Sequence, residues 1–426
     1  MQSTFNDTVI SQVWGRLNNA IIVRGEGSYI FDDQGNRFLD FTSGIGVTAT
    51  GHCHPQVVAA VQSQASQLLF GQMNCMLPEI SLRYAQALDA ATPASIESFF
   101  FSNSGAEAVE GAIKLAKAAT GRSNVIAFEG GFHGRTSMAM ALTTSKKTYR
   151  AGYQPLPSGV FISPFPNAFY YGWESDQAVA FCLKQLRRLL QTQTPPEETA
   201  AMIIEPVLGE GGFVPAPASF LTGLRNICDE TGILLIVDEI QSGFGRTGKM
   251  WAHEHSGILP DILIMAKGIA SGLPMSAIGS SQELMSRWPK GSHGGTYGGG
   301  SAVAMAAALA TLNVLEEEQL IPNAARMGNY LRERLDSILS SLAISFDLRG
   351  AGLMMGVEFD NNGTPDSHRA SHIQKQCLQA GLMLLICGTG GNVIRWIPPL
   401  NVSQDELDSA LQIFESAAKS SVLAND

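Results

Sequence analysis

Asp238 ends the apolar run Ile233–Val237, and 29 residues later Lys267 ends a second apolar run, Ile262–Ala266. Each run is short and evenly apolar, the pattern of a strand buried on both faces of a parallel sheet. Such sheets place ligands beyond the carboxyl ends of their strands, so both polar side chains fall where chemistry is done. A lysine is rarely buried without a task, and an amine held away from water has a lowered pKa and can form a Schiff base. Gly268, Ala270, Ser271 and Gly272 leave space beside it.

The stretch VDEIQSGFGRTGK, from Val237 to Lys249, offers two competing chemistries. Gly243, Gly245 and Gly248 match a dinucleotide fingerprint, and Gly243–Lys249 matches the start of an ATP phosphate loop. The first requires a strand that runs into the glycines and a helix after them. Here Asp238 precedes Gly243 by five residues, and the following KMWAHEHSGILP meets Gly257 and Pro260 too soon for a crossover helix. The second requires Ser or Thr after the lysine to bind magnesium, and Met250 stands there. The glycines read instead as residues that let a surface loop turn. That leaves Asp238 as partner of a pyridinium nitrogen and Lys267 as the Schiff-base amine, the two anchors of pyridoxal 5'-phosphate (PLP). A phosphate cup is available in FSNSGAEAVEGAIKLA, Phe101 to Ala116. There a strand leads through Ser104, Gly105 and Ala106 into a helix whose free N–H groups face the anion.

The elements that must position these residues follow from the hydrophobic pattern. SFFFSN, NVIAFEG, AAMIIEP, ILLIVDE, DILIMAK and MSAIGSS are strand candidates, alternating with helix-length segments such as Gly105–Gly121 and Ala218–Gly232, each closed by a glycine. After about residue 300 helices dominate, near 301–317, 322–342, 367–380 and 403–419. The segment GSYIFDDQGNRFLDFTSG reads as a hairpin turning at Asp33–Asn36, and it belongs with a small sheet. The expected organisation is an α/β chain. Residues 1–50 pack with a small domain, 51–300 form a large domain with a mainly parallel sheet covered by helices, and 301–426 form a smaller α+β domain. Across 426 residues, 45% hydrophobic with a net charge of −10, nothing suggests a membrane span or a nucleic-acid surface. The N-terminal stretch lacks the basic start and apolar block of a signal peptide, so the cytoplasm is the expected location. The six cysteines, without a C-x-x-C pair, read as reduced core thiols. His52 and His54 mimic metal ligands but lack a third, and no metal is expected.

Eight motifs in order span nearly the whole chain: DFTSGIGVTATGHCHP (40–55), NSGAEAVE (103–110), GGFHGRT (130–136), IIEPVLGEGG (203–212), VDEIQSGFGRTG (237–248), MAKGIASGLP (265–274), GGTYGGG (294–300) and VIRWIPPL (393–400). In these the sequence resembles the class III aminotransferases. These are PLP-dependent transferases of fold type I that include 4-aminobutyrate, acetylornithine and ornithine aminotransferases. The resemblance implies that Lys267 joins the cofactor and shuttles the substrate proton, and that Asp238 pairs with the ring nitrogen. It implies that Gln241 bonds the phenolic oxygen, with Phe132 and Ile240 on the two ring faces and Glu205 supporting the site. Gly105 and Ala106 would hold the phosphate together with Thr296 of a neighbouring subunit, which implies a homodimer, possibly paired into a dimer of dimers. His133 is expected in a packing or supporting role.

Two substrates of different shape must share the pocket, and the resemblance assigns this to two arginines. Arg135 would bind the carboxylate far from the reacting amine, and Arg395 the α-carboxylate of 2-oxoglutarate or glutamate. Glu210 would neutralise Arg395 when the substrate has no α-carboxylate, since an unpaired buried guanidinium is costly. Two positions depart from the family pattern. Ala106 replaces the usual Ser or Thr, costing roughly 1 kcal/mol for one lost hydrogen bond, and Gly300 replaces a frequent Asn. The expected reaction is transfer of the amino group of an ω-amino acid, 4-aminobutyrate first, to 2-oxoglutarate. Acetylornithine or ornithine transamination is the alternative, and a nucleotide-binding module or a catalytically silent structural dimer the alternative of another class.

Overall fold

The structure, a computed structural model, describes residues 9–342, 344–361 and 363–423. The start of the N-terminal stretch judged for a signal peptide lies outside the described residues. Strands β1 (Ile22–Glu26), β2 (Tyr29–Asp32) and β3 (Arg37–Asp40) form an antiparallel meander. Asp32 fixes its second turn by accepting the N–H groups of Gln34 and Asn36 at 3.0 and 2.8 Å. As expected, this meander does not join the parallel sheet; β3 pairs with a strand from the far end of the chain, described below.

The central sheet has seven strands. In chain order they are β4 (Ser98–Ser102), β5 (Asn124–Phe128), β6 (Val160–Ser163), β7 (Thr199–Ile204), β10 (Leu234–Asp238), β11 (Ile262–Met265) and β12 (Ser276–Ser280). Between β7 and β10 a two-strand hairpin, β8 (Val207–Leu208) and β9 (Val214–Pro215), lifts residues 209–213 out of the sheet. The spatial order is β4-β12-β11-β10-β7-β5-β6. All six strand candidates are present, and β6 joins them as a strand that the pattern reading passed over. The pairs from β11 through to β6 are parallel, whereas β12 runs antiparallel to both β11 and β4. The connection from Ala266 to Met275 holds only a short 3-10 turn, too little chain for the crossover a parallel strand needs.

Burial of both faces explains why these strands are apolar throughout. Leu235, Val237, Leu263 and Met265 point into one core with Phe220 and Leu224. Ile236, Ile262 and Ile264 point into the other against Val109, Ala112 and Ile113. Each fully buried side chain of this size contributes roughly 1.5–3 kcal/mol. Helix α3 (Gly105–Thr120) covers the second face, and α5 (Ala218–Thr231), with α4 (Ser175–Thr192) beside it, covers the first. Gly121 and Gly232, with φ of 70° and 65°, close α3 and α5 in the left-handed conformation that other residues adopt reluctantly. Helices α1 (Pro55–Ala65) and α2 (Glu79–Ala91) complete the N-terminal part of this layer, and α6 (Ala302–Glu317) packs across both.

The C-terminal unit begins with α7 (Leu320–Ser340). It continues through β13 (Ser345–Ala351), β14 (Met354–Asn361), β15 (Thr364–Pro365), α8 (Ser367–Gln379), β16 (Leu382–Met383), β17 (Leu385–Cys387), β18 (Val393–Trp396) and α9 (Gln404–Leu423). Its sheet has the order β13-β14-β18-β17, with β15 added on β14. β16 is the strand that pairs with β3.

The Gly243–Gly248 segment corrects an expectation: it is a buried joint, not a surface loop. Arg246, 2% exposed, donates to the carbonyls of Leu353 and Pro398, tying the end of β10 to the C-terminal sheet. At Gly248, φ is 85° and a side chain would sit 3.0 Å from the Cα of Ala325 on α7, so only glycine fits. Gly300 is explained in the same way, because a Cβ there would lie 2.4 Å from the carbonyl oxygen of Gly71. Four cysteines are buried as expected, but Cys53 and Cys75 are exposed. His52 and His54 point to different partners, Asp40 and Glu318.

Candidate active site

A cavity of about 510 Å³ opens beyond the carboxyl ends of the central strands. Parallel pairing of β10 with β11, Asp238 opposite Ile264, brings the two strand ends together, and Lys267 follows two residues past β11. Lys267 has a φ of 46°, a left-handed backbone that costs a non-glycine residue roughly 1–3 kcal/mol and collects at functional sites. Its amine lines the cavity and makes no hydrogen bond among the described residues. Burial lowers its pKa from 10.5 to about 8, against the opposing pull of the Glu210, Glu205 and Asp238 carboxylates.

Asp238 is held from two sides. One carboxylate oxygen meets His133 Nδ1 at 2.8 Å, and the other accepts the N–H of Ile240 at 3.1 Å. Burial alone would lower the His133 pKa, but the hydrogen bond and charge of Asp238, with Glu205 nearby, raise it overall. Asp238 lines the cavity with both carboxylate oxygens so engaged. His133, 2% exposed, thus positions Asp238, in keeping with a supporting role. Glu205 orders the neighbouring loops by accepting the N–H groups of Phe132 at 2.7 Å and Gly209 at 2.9 Å. Burial, and the charge of Asp238, push its pKa up against the pull of His133.

The start of α3, Ser104 to Ala106, lines the cavity. Ser104 caps the helix by accepting the N–H of Glu107 at 3.3 Å, and Glu107 reaches back to the N–H of Asn103 at 2.7 Å. The earlier first-turn N–H groups, those of Gly105 and Ala106, have no intrahelical acceptor. A Cβ at Gly105 would lie 2.8 Å from Cδ1 of Ile240, so the end of that side chain would have to shift. The cavity is lined by Phe132, Ile240 and Gln241 as well. Gln241 Nε2 donates to Ile45 O at 3.4 Å, while its buried Oε1 has no partner.

Glu210, also on the cavity wall, sits in the turn between β8 and β9. One of its oxygens pairs with Arg395 Nη1 at 2.5 Å. Glu210 lines the cavity, and Arg395, 4% exposed on β18, lies behind it. Arg135 also lines the cavity, is exposed, and makes no ion pair among the described residues. Thr296 is not brought into this cavity; it caps the 297–300 turn and lines a separate hollow with Asn74 and Phe101. Sequence reasoning missed Tyr149 and Lys146, which meet the second oxygen of Glu210 at 3.2 and 3.8 Å. Lys146 precedes and Tyr149 ends a single 3-10 turn too short to read from the sequence, and only the fold carries them to Glu210.

The donor set fits PLP: a lone buried amine, a carboxylate fixed by an imidazole, an orphaned amide oxygen, and unpaired helix N–H groups around one cavity. This is the site of a PLP-dependent enzyme of fold type I. The class III aminotransferase family model matches residues 10–418, and the chain belongs to that family of PLP-dependent transaminases. A 5-aminovalerate aminotransferase from Pseudomonas putida is 39% identical over 404 residues, covering 94% of each chain. An acetylornithine aminotransferase from Corynebacterium efficiens is 40% identical over 422 residues, covering 96% of each. The solved PLP-bound structure of an amine transaminase from an uncultivated Pseudomonas species matches with a TM-score of 0.89 at 30% identity, covering 99% of each chain.

Proposed function

We propose that this transaminase moves the amino group of an ω-amino acid, 4-aminobutyrate first, to 2-oxoglutarate, giving a semialdehyde and glutamate. The observation that carries the reading is the Glu210–Arg395 pair at a cavity that Arg135, without an ion pair among the described residues, also lines. Arg135 binds the single carboxylate of the ω-amino acid, while Glu210 neutralises the guanidinium that this donor cannot engage. An acceptor with a second carboxylate takes Arg395 instead, through a charge-assisted pair. The similarity to a 5-aminovalerate aminotransferase supports a linear donor with its charges at opposite ends.

When bound, PLP supplies an electrophilic aldehyde and an electron-accepting ring. Lys267 holds it by its amine, Asp238 and Gln241 at the ring nitrogen and phenolic oxygen, Phe132 and Ile240 at the ring faces, and Gly105 and Ala106 at the phosphate. Glu205 steadies the loop that carries Phe132. Lys267 Nζ, with its lowered proton affinity, removes and returns the proton at the substrate's amine-bearing carbon. Thr296 completes the phosphate site from a second subunit of a homodimer. Its place in a separate hollow supports that assignment, as do the exposed apolar side chains of Leu69, Phe70 and Tyr297 in the same region.

Single-turnover mixing of the PLP-loaded enzyme with 4-aminobutyrate, 5-aminovalerate, N-acetylornithine and ornithine tests the donor. Loss of the cofactor's absorbance band should be fastest with an ω-amino acid. A tenfold faster reaction with N-acetylornithine would replace this reading by acetylornithine transamination, which the 40% identical relative supports.

A further inference from the structure

Glu210 covers Arg395, so 2-oxoglutarate reaches the arginine only when the carboxylate moves. The fold indicates which partner moves. Arg395 is pinned in β18 between β14 and β17, opposite Gly356 and Leu385, and its Nη2 also donates to Ile386 O at 3.4 Å. Glu210 sits in a turn among Gly209, Gly211 and Gly212, with only its own carbonyl tied down, by Gly388 N–H at 3.0 Å. Its side chain, which belongs to no strand, is therefore the part of the pair that can turn while its backbone stays in place.

A buried carboxylate that leaves its cation needs another partner, or the move is prohibitive. One is already in place. Glu210 Oε2, the oxygen that does not bond Arg395 in its 2.5 Å contact, meets Tyr149 Oη at 3.2 Å and Lys146 Nζ at 3.8 Å. Burial, and the negative charge of Glu210, push the Tyr149 hydroxyl up to about 12, so it remains a donor at any working pH. The ring of Tyr149 packs edge-on against Phe132, with centroids 5.1 Å apart. The Lys146 segment is anchored through Ser145, whose N–H donates to Gly131 O at 3.1 Å and whose carbonyl accepts from Thr389 Oγ1 at 3.2 Å.

We propose that Tyr149 and Lys146 form the seat to which the Glu210 carboxylate withdraws when an acceptor's α-carboxylate takes Arg395. They act as positioning residues that set the balance between the two half-reactions. The proposal rests on the arginine-masking reading given above. Glu210 swings with Oε2 as the pivot, so it exchanges the guanidinium for an ammonium and keeps the tyrosine hydrogen bond. Neither residue needs to touch substrate.

The test measures the donor half-reaction of the PLP form with 4-aminobutyrate and the acceptor half-reaction of the pyridoxamine phosphate form with 2-oxoglutarate, in Lys146→Met, Lys146→Arg and Tyr149→Phe, each alone and combined with Glu210→Ala. With Glu210 present, Lys146→Met and Tyr149→Phe should lower acceptor relative to donor kcat/KM by about fivefold or more, chiefly through a raised 2-oxoglutarate KM. Lys146→Arg should restore the ratio. In the Glu210→Ala background the same substitutions should have no further effect, because no carboxylate remains to be seated. An acceptor loss that persists without Glu210 would mean that Lys146 or Tyr149 binds substrate directly, and would overturn the proposal. So would an unchanged ratio in the single variants. If Glu210→Ala alone impaired both half-reactions equally, the masking reading itself would fail, a result distinct from either of these.

Discussion

Lys267→Met in the cofactor-free protein tests the electrostatics of the site before any chemistry. Burial holds the Lys267 amine at a pKa of about 8 against the ordinary 10.5. At roughly 1.4 kcal/mol per tenfold change in proton affinity, that difference corresponds to about 3 kcal/mol. The sign follows from the depressed pKa of a base. The folded state disfavours the ammonium, so the cost is fully present below about 8 and fades as pH rises through 10.5. Methionine fills a similar volume without charge. Lys267→Met should therefore stabilise the cofactor-free protein by about 3 kcal/mol near neutral pH, less where the site admits water, with the gain shrinking steadily at alkaline pH. Urea unfolding across a pH series measures this difference. A parallel assay acylates the amine of the unsubstituted protein with a neutral reagent and follows the Lys267 peptide by mass spectrometry. The rate should rise tenfold per pH unit and level off near 8, leaving the neutral amine at pH 7 roughly 300 times more abundant than in an ordinary lysine. A rate that keeps climbing to pH 10, with no stability gain in Lys267→Met, would mean that the Lys267 amine titrates like an exposed lysine.

Glu210→Ala should impair the 4-aminobutyrate half-reaction more than the glutamate half-reaction, because it leaves the buried Arg395 unpaired only when the substrate has no α-carboxylate; single-turnover rates measure the contrast. Gly105→Ala places a methyl 2.8 Å from Ile240 Cδ1, displacing a side chain assigned to the ring face, and should weaken PLP retention several-fold, read by absorbance titration. His133→Phe removes an imidazole whose pKa is raised by Asp238, so the stability it contributes is present below the ordinary 6.5 and lost as pH rises through its folded value. The thermal shift between His133→Phe and the unsubstituted protein should accordingly be largest below pH 6.5 and shrink above it. Mixing Lys267→Ala and Thr296→Val chains should leave mixed dimers with one site that lacks both groups and one that has both, and recovery of PLP-dependent activity in the mixture checks the shared phosphate site.

Six of the seven central strands were legible in the sequence, because burial on both faces demands unbroken apolar runs of strand length and leaves Asp238 and Lys267 as the polar residues that end two of them; β6, short and only half-buried, was not. The sequence by itself determined the start of α3 as well, since Ser104, Gly105 and Glu107 carry their capping chemistry locally. Tertiary structure decided what local patterns cannot encode. β12 turned antiparallel because its connection was too short to cross over. The Gly243–Gly248 segment became a buried joint because Ala325 and Leu353, distant in sequence, close over it. The resemblance named Glu210 and Arg395, but their contact joins residues 185 apart, and the hydroxyl of Tyr149 and ammonium of Lys146 beside them come from a stretch with no periodic pattern to read. Hydrophobic periodicity fixes which segments are buried, whereas polar partners at a cavity's wall are chosen by how those segments pack.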